Sequence, residues 1–84
     1  MNRKFIKKPI PIEAFQFGID IEPEWFKPLC IIDAGEPPRK KGCIETLEGA
    51  MWFWEGDYVI KGIEDECYPC HKEIFERSYS EIIG

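Results

Sequence analysis

The stretch Cys43-Ile44-Glu45-Thr46-Leu47-Glu48-Gly49-Ala50-Met51-Trp52-Phe53-Trp54-Glu55-Gly56-Asp57-Tyr58-Val59-Ile60-Lys61 decides the fold. Two β-prone runs, Cys43 to Leu47 and Ala50 to Trp54, flank Glu48-Gly49, which is a hairpin signal. Glu55-Gly56-Asp57 turns the chain again, and Tyr58 to Lys61 reads as a third strand rich in β-branched and aromatic residues. After the turn at Gly62 to Asp65, Glu66-Cys67-Tyr68-Pro69 reads as a further strand that Pro69 should end. Ile74, Phe75 and Ser78 then fall among charged residues at the spacing of a short amphipathic helix over His71 to Arg77, and Tyr79 to Ile83 reads as a last strand.

Upstream the pattern is weaker. Ile10, Ile12 and Ala14 alternate with Pro11 and Glu13, the period of a half-buried strand running from Ile10 to Phe17. Pro9 and Pro11 cannot donate to a ladder and assign that strand to a sheet edge. Pro23 to Leu29 suits one or two turns of helix, opened by Pro23 and halted by Pro28. Residues 33–42, with Gly35, Pro37, Pro38 and Gly42, read as an exposed loop. The expectation is α+β: a single domain over residues 1–84, built as a small twisted antiparallel β-meander of about four to six strands with one or two short helices.

Composition narrows the function classes. At 84 residues the chain makes one domain, and 44% apolar with 14% aromatic residues supply a core and argue against disorder. A net charge of −5 disfavours nucleic acid as a partner, because phosphate affinity comes from clustered Lys and Arg. The charge is uneven: residues 1–42 carry eight basic against six acidic residues, and residues 43–84 carry three against ten. Solvated acidic loops such as Glu64-Asp65-Glu66 explain the acidic half more simply than mimicry of DNA. The basic opening Arg3-Lys4-Phe5-Ile6-Lys7-Lys8-Pro9 never leads into the apolar run of a signal peptide, and no stretch reaches the ~18 apolar residues of a membrane span. A cytoplasmic protein without a membrane partner is expected, its four cysteines reduced.

Cys67-Tyr68-Pro69-Cys70-His71 matches the letters of a c-type haem attachment signature, a motif normally loaded after export. Zinc asks for four ligands, and only one C-x-x-C is present, with Cys30 and Cys43 standing alone. The same spacing suits a redox dithiol, but no βαβ pattern precedes it. A cysteine-based metal-binding or thiol-redox protein using Cys67, Cys70 and His71 is therefore the alternative reading, and buried structural thiols the simpler one. No phosphate loop, nucleophile elbow or carboxylate pair appears, so no catalytic residue and no cofactor are assigned. Met51-Trp52-Phe53-Trp54 is apolar on both faces of one strand. Either the helix and the Trp25-Phe26 segment bury both faces, or one face meets a partner. On the second view Trp52, Trp54, Asp57 and Tyr58 are the candidate contacts, since aromatics dominate interface energetics.

Lys7-Lys8-Pro9 with Ile12-Glu13-Ala14-Phe15-Gln16, Thr46-Leu47-Glu48-Gly49-Ala50-Met51, Gly56-Asp57-Tyr58-Val59-Ile60-Lys61-Gly62, and Glu66-Cys67-Tyr68-Pro69-Cys70 with Ile74-Phe75 and Tyr79 together resemble a family of small uncharacterised proteins of tailed phages and prophages. The resemblance covers both ends and most of the second half and fails from Ile19 to Lys41. Cys67 stands where that family looks aromatic, His71 where it tends to be basic, and Lys72 in place of a proline. Cys70 alone belongs to the pattern, which suggests packing at a strand-to-helix junction. The resemblance implies a phage or prophage origin and no activity. The expected role is a non-catalytic accessory module, a monomer or homodimer, that binds a protein or small-molecule partner of the bacterial host or phage, counter-defence being one form.

Overall fold

The computed structural model describes residues 2–6, 8–36 and 39–83, and its strands fall into two three-stranded antiparallel sheets and one short helix. The first sheet orders β1 (Glu13–Gln16), β5 (Tyr58–Lys61) and β6 (Cys67–Cys70) with β5 in the middle. The second orders β2 (Cys30–Asp33), β3 (Lys40–Thr46) and β4 (Gly49–Trp54) with β3 in the middle. The chain is thus not one continuous meander: β4 hands over to β5 across the gap between the sheets. The turn from Trp54 to Asp57 makes that crossing, closed by the Asp57 N–H donating to the Trp54 carbonyl at 2.9 Å. Gly56 sits third in the turn with φ +97°, a value that favours glycine. Its N–H donates to the Phe17 carbonyl and the Phe17 N–H to the Asp57 carbonyl, both at 2.8 Å, which ties the turn to the end of β1.

The core lies between the sheets. Phe15, Phe17 and Val59 from the first sheet meet Ile44 and Phe53 from the second, with Phe26 entering from the loop before β2. Phe17 and Phe53 pack edge to face at 4.9 Å, as do Phe15 and Phe26 at 4.8 Å, the arrangement that ring quadrupoles favour. Gly42 is directly across from Phe53, and a Cβ at Gly42 would stand 2.5 Å from two carbons of that ring. Glycine is what lets the ring lie against the β3 backbone.

Several expectations change. The first strand is shorter than Ile10 to Phe17: β1 starts at Glu13, after Pro9 and Pro11, and although it sits at a sheet edge its inward set is Phe15 and Phe17, with Ile10 and Ala14 exposed. A one-residue shift exchanges the faces of a strand, and two phenylalanines bury far more area than the isoleucine–alanine alternation upstream. Pro23 to Leu29 makes a single turn, closed by Phe26 N–H to the Pro23 carbonyl at 3.1 Å, and no helix. The loop at 33–42 is shorter: Asp33 ends β2, Lys40 to Gly42 belong to β3, and the Ala34 N–H reaches the Arg39 carbonyl at 2.6 Å. Pro37 and Pro38 lie outside the described residues. β6 runs through Pro69 to Cys70, tolerated because β6 is an edge strand with one side unpaired. Tyr79 to Ile83 forms no strand.

Helix α1 (Lys72–Ser78) carries Glu73 in its first turn and Arg77 in its last, both favourable to the helix dipole. Phe75 stacks on Tyr58 at 3.9 Å, so α1 packs at the Tyr58 end of the outer face of the first sheet, the face that also holds Ile60 and Tyr68. Among the described residues no helix is long and apolar enough to cross a membrane.

Candidate functional site

Among the described residues no helix covers the second sheet. Residues opposite one another on antiparallel strands share a face. The register therefore places Cys30 and Ile32 of β2, Lys41, Cys43 and Glu45 of β3, and Ala50, Trp52 and Trp54 of β4 on one outer face. Phe53, between the two tryptophans in sequence, turns inward and is 1% exposed, whereas Trp52 is 48% and Trp54 41% exposed. The strand is therefore neither fully buried nor central: Trp25 and Phe26 reach the core side only, and α1 lies on the other sheet.

Lys41 organises this face. Its ammonium lies 4.6 Å from the Trp52 ring centroid and 5.0 Å from that of Trp54, a cation held against two indoles. Lys41 is directly opposite Trp54 and diagonal to Trp52 across the β3–β4 ladder. Cys43, opposite Trp52, is buried at the base of the face, and desolvation, then the charges of Cys30 and Glu45, push its thiol pKa up. Among the described residues no three His, Cys, Asp or Glu side chains come together as a metal site.

The other two candidate contacts stand apart from the tryptophans. Asp57 works inside the turn: Oδ2 accepts the Trp54 N–H at 2.9 Å and Oδ1 lies 3.4 Å from His71 Nδ1, joining β4, β5 and the start of α1. Tyr58 faces α1, stacked on Phe75, and its hydroxyl donates to Glu76 Oε2 at 3.3 Å. Its pKa rises through desolvation first and then the charge of Glu76. Cys67 and Cys70 are three residues apart on β6, so strand alternation turns them to opposite faces. Cys67 packs against the core and Cys70 lies on the α1 side, opposite Tyr58. Burial raises both thiol pKa values, so neither is a ready thiolate near neutral pH.

Lys41 is the residue that reading the sequence missed, because Arg39-Lys40-Lys41-Gly42 follows two prolines and has turn chemistry. The signal was the alternation Lys41, Cys43, Glu45, which places the lysine on the Cys43 side of β3. Compared with known proteins, the chain matches no family model, no curated protein and no solved structure.

Proposed function

We propose that this small α+β domain is a non-catalytic binding module that docks a protein partner on the outer face of β2, β3 and β4. One observation carries the reading: Trp52 and Trp54, the largest side chains on a regular strand, are left nearly half exposed while their neighbour Phe53 is sealed in the core. Indole pairs on a rigid strand bring large contact area at low entropic cost, which is why tryptophan is enriched among residues that dominate binding energy. Lys41 between them gives the partner's chemistry: an apolar surface carrying a carboxylate that meets the ammonium as the rings are buried. The motif resemblance supports a phage or prophage accessory protein in the cytoplasm of a bacterial host, where masking a defence effector is one role such a surface performs.

The test is a Trp52→Ala/Trp54→Ala variant compared with the parent chain in crosslinked capture from prophage-bearing cells, with thermal unfolding run in parallel. The reading expects the captured partner to be lost and the melting midpoint to stay within a few degrees. Retention of the same partner, or collapse of the fold, removes this face as the docking surface.

A further inference from the structure

A second surface lies on the far side of the molecule. β1, β5, α1 and the segment after α1 enclose a groove of about 800 Å³. Its aromatic wall is the stack of Tyr58 on Phe75 at 3.9 Å and Phe75 on Tyr79 at 4.8 Å. Four carboxylates line it, Glu13, Asp20, Glu76 and Glu81, and no basic side chain does among the described residues. Two of these acids are held in place: Asp20 Oδ2 accepts the Gln16 N–H at 2.9 Å, and Glu76 accepts the Tyr58 hydroxyl. The groove also borders the outer edge of β1, which pairs with no further strand among the described residues.

The chain itself carries the complement. Residues 2–6 and 8–11 are exposed throughout, with Arg3, Lys4 and Lys8 around Phe5 and Ile6, which are 82% and 93% exposed. Two adjacent large apolar side chains standing in water on a basic arm are an unfilled contact. The Cα radius of gyration is 14.4 Å, against about 12 Å for a compact chain of this length, and the longest dimension is 53 Å. The arm cannot easily serve its own groove, because it runs directly into β1, a wall of that groove. A tight turn is present there, the Ile10 N–H donating to the Lys8 carbonyl at 2.8 Å, and even with it residues 2–6 stay exposed and outside the lining of the groove. Fully extended, residues 2–8 span about 23 Å, enough to lie along the groove of a neighbour.

We infer that the acidic aromatic groove receives the basic arm, Arg3 to Lys8, of a second copy of this chain, so that two copies exchange arms about a two-fold axis. Phe5 and Ile6 pack on the Tyr58–Phe75–Tyr79 wall, and Arg3, Lys4 and Lys8 face Glu13, Asp20, Glu76 and Glu81. Reciprocal exchange fills both grooves and closes the assembly at a dimer.

The experiment is sedimentation of the full chain over a concentration series, followed by carbodiimide crosslinking of an equimolar mixture of isotopically heavy and light copies. A dimer that weakens with salt, with heavy-to-light crosslinks between Lys4 or Lys8 and Glu76 or Glu81, is expected. Arg3→Glu/Lys4→Glu/Lys8→Glu should weaken dimerisation about tenfold or more, from the loss and reversal of several partly exposed pairs. Adding Glu76→Lys/Glu81→Lys to that chain should restore it. The Trp52→Ala/Trp54→Ala variant should dimerise like the parent, which separates this surface from the proposed partner face. A monomer at every concentration, crosslinks within single copies only, or a dimer that the arm reversal leaves intact would each overturn the inference.

Discussion

The two sheets have the same strand count and share one core, yet their outer faces have opposite fates. In the first, Phe75 of α1 stacks on Tyr58, Tyr68 on the same face hydrogen-bonds Tyr79 just after the helix, and Ile60 between them is buried. In the second, the corresponding layer of Ile32, Lys41, Trp52 and Trp54 has no element over it. Among the described residues there is one helix, of seven residues, and it packs on the first sheet. A face left bare yet filled with tryptophan is the observation behind the proposed docking surface. The difference between the sheets therefore points to function, and it can be broken from the shared core outward.

The largest effect belongs to the core on which both sheets depend. Phe53→Ala removes the ring that packs on Phe17 at 4.9 Å and lies over Gly42, leaving a cavity between the sheets. A loss of about 3–5 kcal/mol follows from such a truncation. That is a large share of the stability of a domain this small, so chemical denaturation should show a variant at or near the edge of folding. If Phe53→Ala cost no more than a surface substitution, the inward and outward assignment of β4 would be reversed.

The covered face has its own signature in alkali. Burial, followed by the hydrogen bond with Tyr79, pushes the Tyr68 hydroxyl up to about 12 from its ordinary 10. The native state thus holds this proton more tightly than the unfolded chain does. The corresponding stability is fully present below pH 10 and is lost as pH rises through about 12. Tyr68→Phe keeps the ring and removes the titrating group, so its melting temperature should fall less steeply across that window than the parent's. Cys43, Cys67, Cys70 and Tyr58 are shifted in the same direction and are common to both chains, so the difference isolates Tyr68. Equal slopes would mean that α1 and the segment after it do not cover this face.

How far the sequence carried the reading depends on how local each signal was. β5 falls on the expected residues because turn chemistry at Gly56-Asp57 and Gly62 brackets it on both sides. The β3–β4 hairpin and α1 were legible for the same reason, the helix from its spacing of Ile74, Phe75 and Ser78. The division into two sheets was not, since a turn such as Glu55-Gly56-Asp57 looks the same whether the next strand folds back or crosses to another layer. β2 was hidden because Cys30-Ile31-Ile32-Asp33 is too short to show alternation. On the candidate face, the exposed tryptophans could be suspected from an apolar run with two apolar sides. Lys41 was missed because the prolines before Arg39 make Lys40 to Gly42 read as loop, although the alternation with Cys43 and Glu45 places it on the tryptophan side of β3.

The smallest effect tests whether Lys41 organises the bare face or only rests on it. An ammonium near an aromatic face contributes about 0.5–1 kcal/mol at an exposed site, and here one ammonium serves two rings at 4.6 and 5.0 Å. Lys41→Met keeps an alkyl chain of similar reach and removes the charge, so the apolar contact with the indoles survives and the electrostatic part is lost. The expected cost is about 0.5 kcal/mol in urea unfolding, and it should vanish when the same substitution is made in a Trp52→Ala/Trp54→Ala background, as a double-mutant cycle measures. A cost unchanged by that background would assign the lysine's contribution to the carboxylates around β3 rather than to the rings. A cost that vanishes means that the cation and the two indoles form one unit, already assembled on the sheet before any partner arrives.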